Sequence, residues 1–159
     1  MRNELAENPA LVIPCSGIGK VHGLISREAA YLVTDELAPK KTATLCLALL
    51  VKGDDEAVSA VQSHACITID GCAKACAQKN VEMAGGRVAK AIQVAEAFKN
   101  FRGAKPGNAS FLTEEGWPLP ATSPATWPAR RRFCMTGRRI DERGSHQGWH
   151  HLVQWRSHS

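Results

Sequence analysis

No apolar run in this sequence is long enough to span a bilayer. The longest, Leu45 to Val51, falls far short of the roughly 20 residues a membrane helix needs. A secretory leader is also missing, because Met1-Arg2-Asn3-Glu4-Leu5-Ala6-Glu7 is polar and partly acidic. Neither a membrane partner nor export is therefore expected. In a reducing cytoplasm the six cysteines stay reduced, which favours metal binding or thiol chemistry over a disulfide framework. The sequon Asn108-Ala109-Ser110 has no meaning without export. Three functional signatures are missing as well. No two cysteines are separated by two residues, the usual spacing of dithiol oxidoreductases. Ser16-Gly17-Ile18-Gly19-Lys20 is glycine-rich but lacks the four residues that a P-loop places before Gly-Lys. A phosphatase-type cysteine loop needs arginine six residues past Cys15, where Val21 stands.

Lysine and nearly all acidic residues are absent from one part of the chain in an equally telling way. From Trp117 to Ser159 there is no lysine, and Asp141 and Glu142 are the only acids against 7 arginines. Before Trp117, 13 basic and 13 acidic residues cancel. The net charge of +5 thus belongs to the end of the chain and says nothing about partners of the rest. All four tryptophans and four of the six histidines lie there too, and Pro118, Pro120, Pro124 and Pro128 interrupt any periodicity. Residues 118–159 are therefore expected to form a disordered tail. Its arginines and aromatics fall on no recognisable element, so no nucleic-acid partner is expected, and His146, His150 and His151 read as chance composition. The abrupt change of residue usage at Trp117 suggests a reading-frame change (hypothesis). An intact frame, supported by mass spectrometry of the native protein, would defeat it.

In the part before that boundary, apolar segments alternate with amphipathic ones. Ala10 to Pro14 reads as a buried strand, and Leu24 to Leu37 as a helix with Ala29, Ala30, Val33 and Leu37 along one side, stopped by Pro39. Thr42 to Leu47 reads as a second strand, grading into Ala48 to Val51. Gly53-Asp54-Asp55 then offers a cap for a helix carrying Ala57, Val58, Val61 and Ala65. Cys66 to Ile69 is a third strand. A helix follows to about Ala84, stopped by Gly85-Gly86. Val88 to Val94 is a fourth strand, Lys105 to Asn108 a turn, and Thr113 to Gly116 the start of a short helix. The alternation predicts an α/β domain over residues 10–117, three layers deep, with a largely parallel sheet of about four strands.

Ligands in such sheets collect beyond the carboxyl ends of the strands. Cys15 follows the first strand, Cys46 lies near the end of the second, and Cys72 and Cys76 follow the third. Four positions apart on a helix, Cys72 and Cys76 would share one face, near a helix N-terminus that favours thiolate. Four thiolates match the tetrahedral preference of zinc. The same four residues also fit buried reduced cysteines, an iron–sulfur cluster that visible colour would reveal, or a thiol-redox or sulfur-handling protein. In that last reading Cys15, flanked by Lys20 and His22, is the exposed nucleophile. Cys66, at the opposite end of the third strand, reads as a core thiol, and His64 as an exposed helix-end histidine. Asp70 fits either a turn or a group supporting a ligand.

Pro14 to Lys20, Cys46 to Leu50, Ile69 to Cys76 and Lys79 to Glu82 together resemble the DGC-domain family, named for the triplet seen here as Asp70-Gly71-Cys72. Pro106 to Ala109 and Leu112 to Trp117 resemble the end of that domain. The resemblance implies a small cytosolic protein proposed to bind Zn2+ through cysteines, with no agreed activity. Carried over by position, the metal ligands are Cys15, Cys46, Cys72 and Cys76. Ala48, Ala73 and Val21 stand where the family often has proline, which leaves every sulfur in place but removes a helix-starting proline at Ala73.

Overall fold

Strands β1 (Ala10–Pro14), β2 (Thr42–Thr44), β3 (Ala65–Asp70) and β4 (Arg87–Gln93) pair into one sheet in the computed structural model, which describes residues 8–118. The order is β2-β1-β3-β4 and every pairing is parallel. Parallel neighbours need crossovers. These are made by α1 (Val21–Tyr31), by α2 (Leu47–Lys52) with α3 (Asp55–Ser63), and by α4 (Cys76–Met83); α5 (Val94–Ala97) follows the last strand.

Side chains on a strand alternate between faces, so β1 sends Leu11 and Ile13 to one side and Val12 to the other. Val12, Ile69 and Ile92 pack with Leu24, Ile25, Ala29 and Ala30 of α1 and with Val94 and Leu112. On the other face Leu11, Ile13 and Cys66 meet Leu50 of α2, Ala57 and Val61 of α3, and Ala77 and Val81 of α4. Burial on both faces is why β1 is apolar throughout rather than alternating. The result is the three-layer α/β arrangement anticipated from the sequence.

Several elements differ from expectation. The second strand ends at Thr44, and Leu47 to Lys52 is helical. A short apolar run does not distinguish strand from helix by period. Leucine and alanine are strong helix formers, and an edge strand has only one neighbour to hold it extended. The helix stops at Gly53, which is left-handed at φ 76°. The first helix begins at Val21 rather than Leu24, and its last six residues, Leu32–Leu37, wind as a π-helix with none of them buried. Thr113 to Gly116 forms a turn, in which Gly116 N–H donates to Thr113 O at 2.9 Å. Among the described residues no helix is long and apolar enough to cross a membrane. The expected disordered tail, with Cys134 and His146, His150 and His151, lies outside the described residues.

Candidate functional site

The strand order has one consequence for where a ligand can sit. After β1 the chain enters α1, which packs on one face of the sheet; after the neighbouring β3 it leads to α4, on the other. The carboxyl ends of β1 and β3 are thus a topological switch point, the place where open α/β sheets bind ligands. Cys15 is the first residue past β1, and Gly71-Cys72 the first past β3.

The two loops are joined through sulfur. Cys15 N–H donates to Ile69 O at 2.9 Å, and the Gly71 N–H donates to Cys15 Sγ at 3.1 Å. Each member of the Asp70-Gly71-Cys72 triplet has a distinct task. Asp70 is 2% exposed, and its carboxylate accepts from Ala77 N–H at 2.8 Å and Gln78 N–H at 3.1 Å. It therefore caps α4 from beyond the helix, satisfying donors that have no partner in the first turn. Gly71 lies against the start of α1, where a Cβ would come within 3.1 Å of both the carbonyl carbon and Cβ of His22. Cys72 is half-buried in the turn that follows.

The helix-face expectation for Cys72 and Cys76 needs correcting. Helix α4 begins at Cys76, so Cys72 precedes it, and its carbonyl accepts from Ala75 N–H at 3.1 Å. Ala75 takes a left-handed conformation, φ 51°, which ends the turn and leaves no common helical face for the two thiols. Ala73 likewise lies in the turn, so a proline there would not start the helix. The Asp70 carboxylate already occupies the helix N-terminus that was expected to favour a thiolate. Ser16, next to Cys15, is the other non-glycine residue with positive φ among the described residues, at 48°. Both conformations uncommon for side-chain-bearing residues thus adjoin candidate ligands.

Cys46 stands immediately before α2, with no capping hydrogen bond from its side chain, and is exposed, as is Cys76; none of the described cysteines is in a disulfide. The topology brings Cys15, Cys46, Cys72 and Cys76 to one edge of the sheet. Their side chains are not gathered into a preformed cage: among the described residues, no three His, Cys, Asp or Glu side chains stand so as to hold an ion. The donor chemistry fits a soft divalent metal, with Cys15 anchored by its hydrogen bonds and Cys46 and Cys76 exposed.

Other residues take the roles expected of them, or new ones. Cys66 is fully buried, its Sγ 3.7 Å from Val61 O and 3.6 Å from His64 O, and burial pushes its thiol pKa up against a smaller opposing effect of Arg87. It is an inert core thiol. His64 closes α3 through Nδ1 and Ala60 O, 2.9 Å apart, at the far end of β3 from the site. Ser26 was not foreseen. Its hydroxyl is fully buried beside Cys15 Sγ at 3.5 Å, and the available signal was a serine on the apolar side of α1. Arg27 donates to Ser16 Oγ at 3.2 Å and braces the same loop.

His22 rests against Phe98, ring centroids 4.7 Å apart, with a buried Nδ1 that has no hydrogen-bond partner among the described residues. Burial first, and Lys20 second, lower its pKa from the ordinary 6.5. The folded chain therefore binds this proton less readily than the unfolded one. Its contribution to stability is intact above the unfolded pKa and is lost as pH falls through the lower, folded value. Chemical denaturation at stepped pH is expected to show weakening as pH falls below about 6.5, and His22→Leu should reduce that loss. An unchanged acid slope in the variant would contradict this account.

No curated protein and no solved structure matches the chain. Among family descriptions, the DGC domain matches residues 11–111, a span that contains β2, β3, β4, all of β1 but its first residue, and Cys15, Cys46, Cys72 and Cys76. With its signature triplet standing on the β3 side of the switch point, the chain belongs to the DGC domain family.

Proposed function

We propose that the protein binds one Zn2+ at the carboxyl edge of its sheet through Cys15, Cys46, Cys72 and Cys76. The observation that carries this reading is the Cys15 sulfur at the topological switch point, tied to the Asp70-Gly71-Cys72 loop by the 3.1 Å hydrogen bond from Gly71. An N–H donated to sulfur suits a ligand thiolate, since it orients the sulfur and offsets part of its charge. The metal would draw the exposed Cys46 and Cys76 inward, so binding and local ordering are one event. The domain spans residues 10–117 and works in the reducing cytoplasm, with a metal ion and neither membrane nor nucleic acid as its partner.

Elemental analysis and thiol titration of anaerobically purified protein test this directly. One zinc per chain with four protected thiols is the expected result. Cys72→Ser should then lower metal occupancy and thermal stability together, because metal-binding energy in such sites is also folding energy. Unchanged occupancy would remove Cys72 from the ligand set.

A second reading draws on the exposure of Cys46 and Cys76 and the lack of a preformed cage. In it the protein is a thiol-redox or sulfur-handling protein with Cys15 as nucleophile. Metal-free protein with a single fast-reacting thiol would favour it, and visible absorption would instead point to an iron–sulfur cluster.

A further inference from the structure

Among the described residues, every glycine but two is required by its surroundings. Each of the others either has a positive φ or lies where a Cβ would come within 3.1 Å of a neighbour. The exceptions are Gly17 and Gly19: an added Cβ would meet nothing within 4 Å at either position, and neither φ is positive. They flank Ile18, which at 85% exposed is the most exposed large apolar residue among those described. Glycine has a cost at such positions, because it gives the unfolded chain more freedom to lose than alanine does. An isoleucine held in water forgoes the burial that apolar surface favours. The conformation seen accounts for neither choice of residue.

The ends of this segment are held and its middle is not. Ser16, at φ 48°, accepts from Arg27 through its hydroxyl and donates its N–H to Ser26 Oγ at 3.2 Å. At the other end Lys20 O accepts from Gly23 N–H at 3.0 Å, in the first turn of α1. Between them, neither Ile18 nor Gly19 makes a backbone hydrogen bond among the described residues. A short span fixed at both ends can only swing about the line that joins them. One direction is outward into water, where Ile18 stands; the other is inward, over the carboxyl ends of β1 and β3.

We infer that Gly17-Ile18-Gly19 is a lid on the switch point. In its second conformation the backbone at Gly17 and Gly19 enters φ/ψ regions that glycine alone adopts at little cost, and Ile18 folds down towards Cys72 on the β3 loop. The two glycines are the hinges and the isoleucine is the cover. Closing such a loop excludes water and commits a bound ligand. The lid serves whatever ion or molecule that edge takes, so it does not rest on the zinc reading.

Capture of the closed form tests this in the full-length chain, kept in EDTA so that its thiols are free. In Ile18→Cys, mild oxidation with diamide, which takes up the two thiol hydrogens, is expected to join position 18 to Cys72, read by peptide mass spectrometry. A disulfide needs Cα atoms within about 7 Å of each other, so this bridge reports that the lid has come down. The same substitution made together with Gly17→Ala and Gly19→Ala should form the bridge several-fold more slowly, because alanine bars the φ values that closure uses. With Ile18 in place, the double alanine variant fits the open form, and it should melt at or a few degrees above the wild-type temperature.

Absence of the bridge to Cys72, or equal rates with glycine and with alanine, overturns the lid. A double alanine variant that melts lower than wild type, or does not fold, overturns it as well, since both glycines would then be required by the open form. None of these results touches the zinc reading, which metal content decides.

Discussion

Asp70→Ala is expected to cost about 3 kcal/mol of folding stability, a fall in Tm of roughly 10 °C for a domain of this size. The carboxylate is buried and accepts from two N–H groups at the start of α4. Removing it strands both donors in a place water does not readily reach, and a hydrogen bond to a charged group is worth about 1.5–3 kcal/mol. Asp54 provides the comparison within the same molecule. It caps α3 by accepting from Ala57 N–H at 3.1 Å, but it is only half-buried and faces Lys52 at 3.9 Å. Asp54→Ala should cost about 1 kcal/mol, the ordinary value for a lost cap. Paired thermal and urea melts check the difference. Equal losses at the two positions would show that the burial of Asp70 contributes nothing extra. Because α4 begins at Cys76, the proposed zinc site predicts that Asp70→Ala also lowers metal occupancy, by loosening that helix start without removing a proposed ligand.

Gly23→Ala is the second large effect expected, and its sign runs against helix propensity. Alanine in place of a helical glycine normally stabilises by about 1 kcal/mol. Here a Cβ on Gly23 would collide with the carbonyl oxygen of Gly17, in the loop that carries Cys15. A backbone carbonyl cannot rotate aside like the end of a long side chain, so the whole loop must move. Overpacking of this kind costs about 1–3 kcal/mol, and with two backbones in contact the upper part of that range applies. A net loss of about 2 kcal/mol is expected in urea denaturation, with faster alkylation of Cys15 as the loop shifts. A gain in stability would mean that Gly17 and Gly23 are not in contact. Gly71, which meets His22 and Gly23 N from the other side, completes a stack of three backbones at the switch point.

Much of this was legible in the chain. The buried β1, the third strand, the Asp54 cap and the glycine stop after α4 were each visible, because their signals are local: unbroken apolar runs, a short acceptor before a helix, a glycine after one. The run from Leu45 to Val51 misled, because its period fits strand and helix alike and only position at the sheet edge decides. Asp70 was recognisable as important but not as a cap, since its partners lie seven and eight residues on and local capping rules reach three. Ser26 gave only a serine on an apolar helix face, and its meaning depends on a sulfur 11 residues away.

By itself, then, the amino-acid order determined the layered α/β class and which thiols fall at strand ends, which follow from short-range periodicity and spacing, and its motifs carried the resemblance to the family. Only the tertiary structure decided that β1 and β3 are neighbours whose helices part to opposite faces, that Gly71 donates to Cys15 across that gap, and that Cys72 stands outside α4. Pairing order and backbone contact are long-range properties. They are settled by burying both faces of one sheet at once, which no window of sequence records.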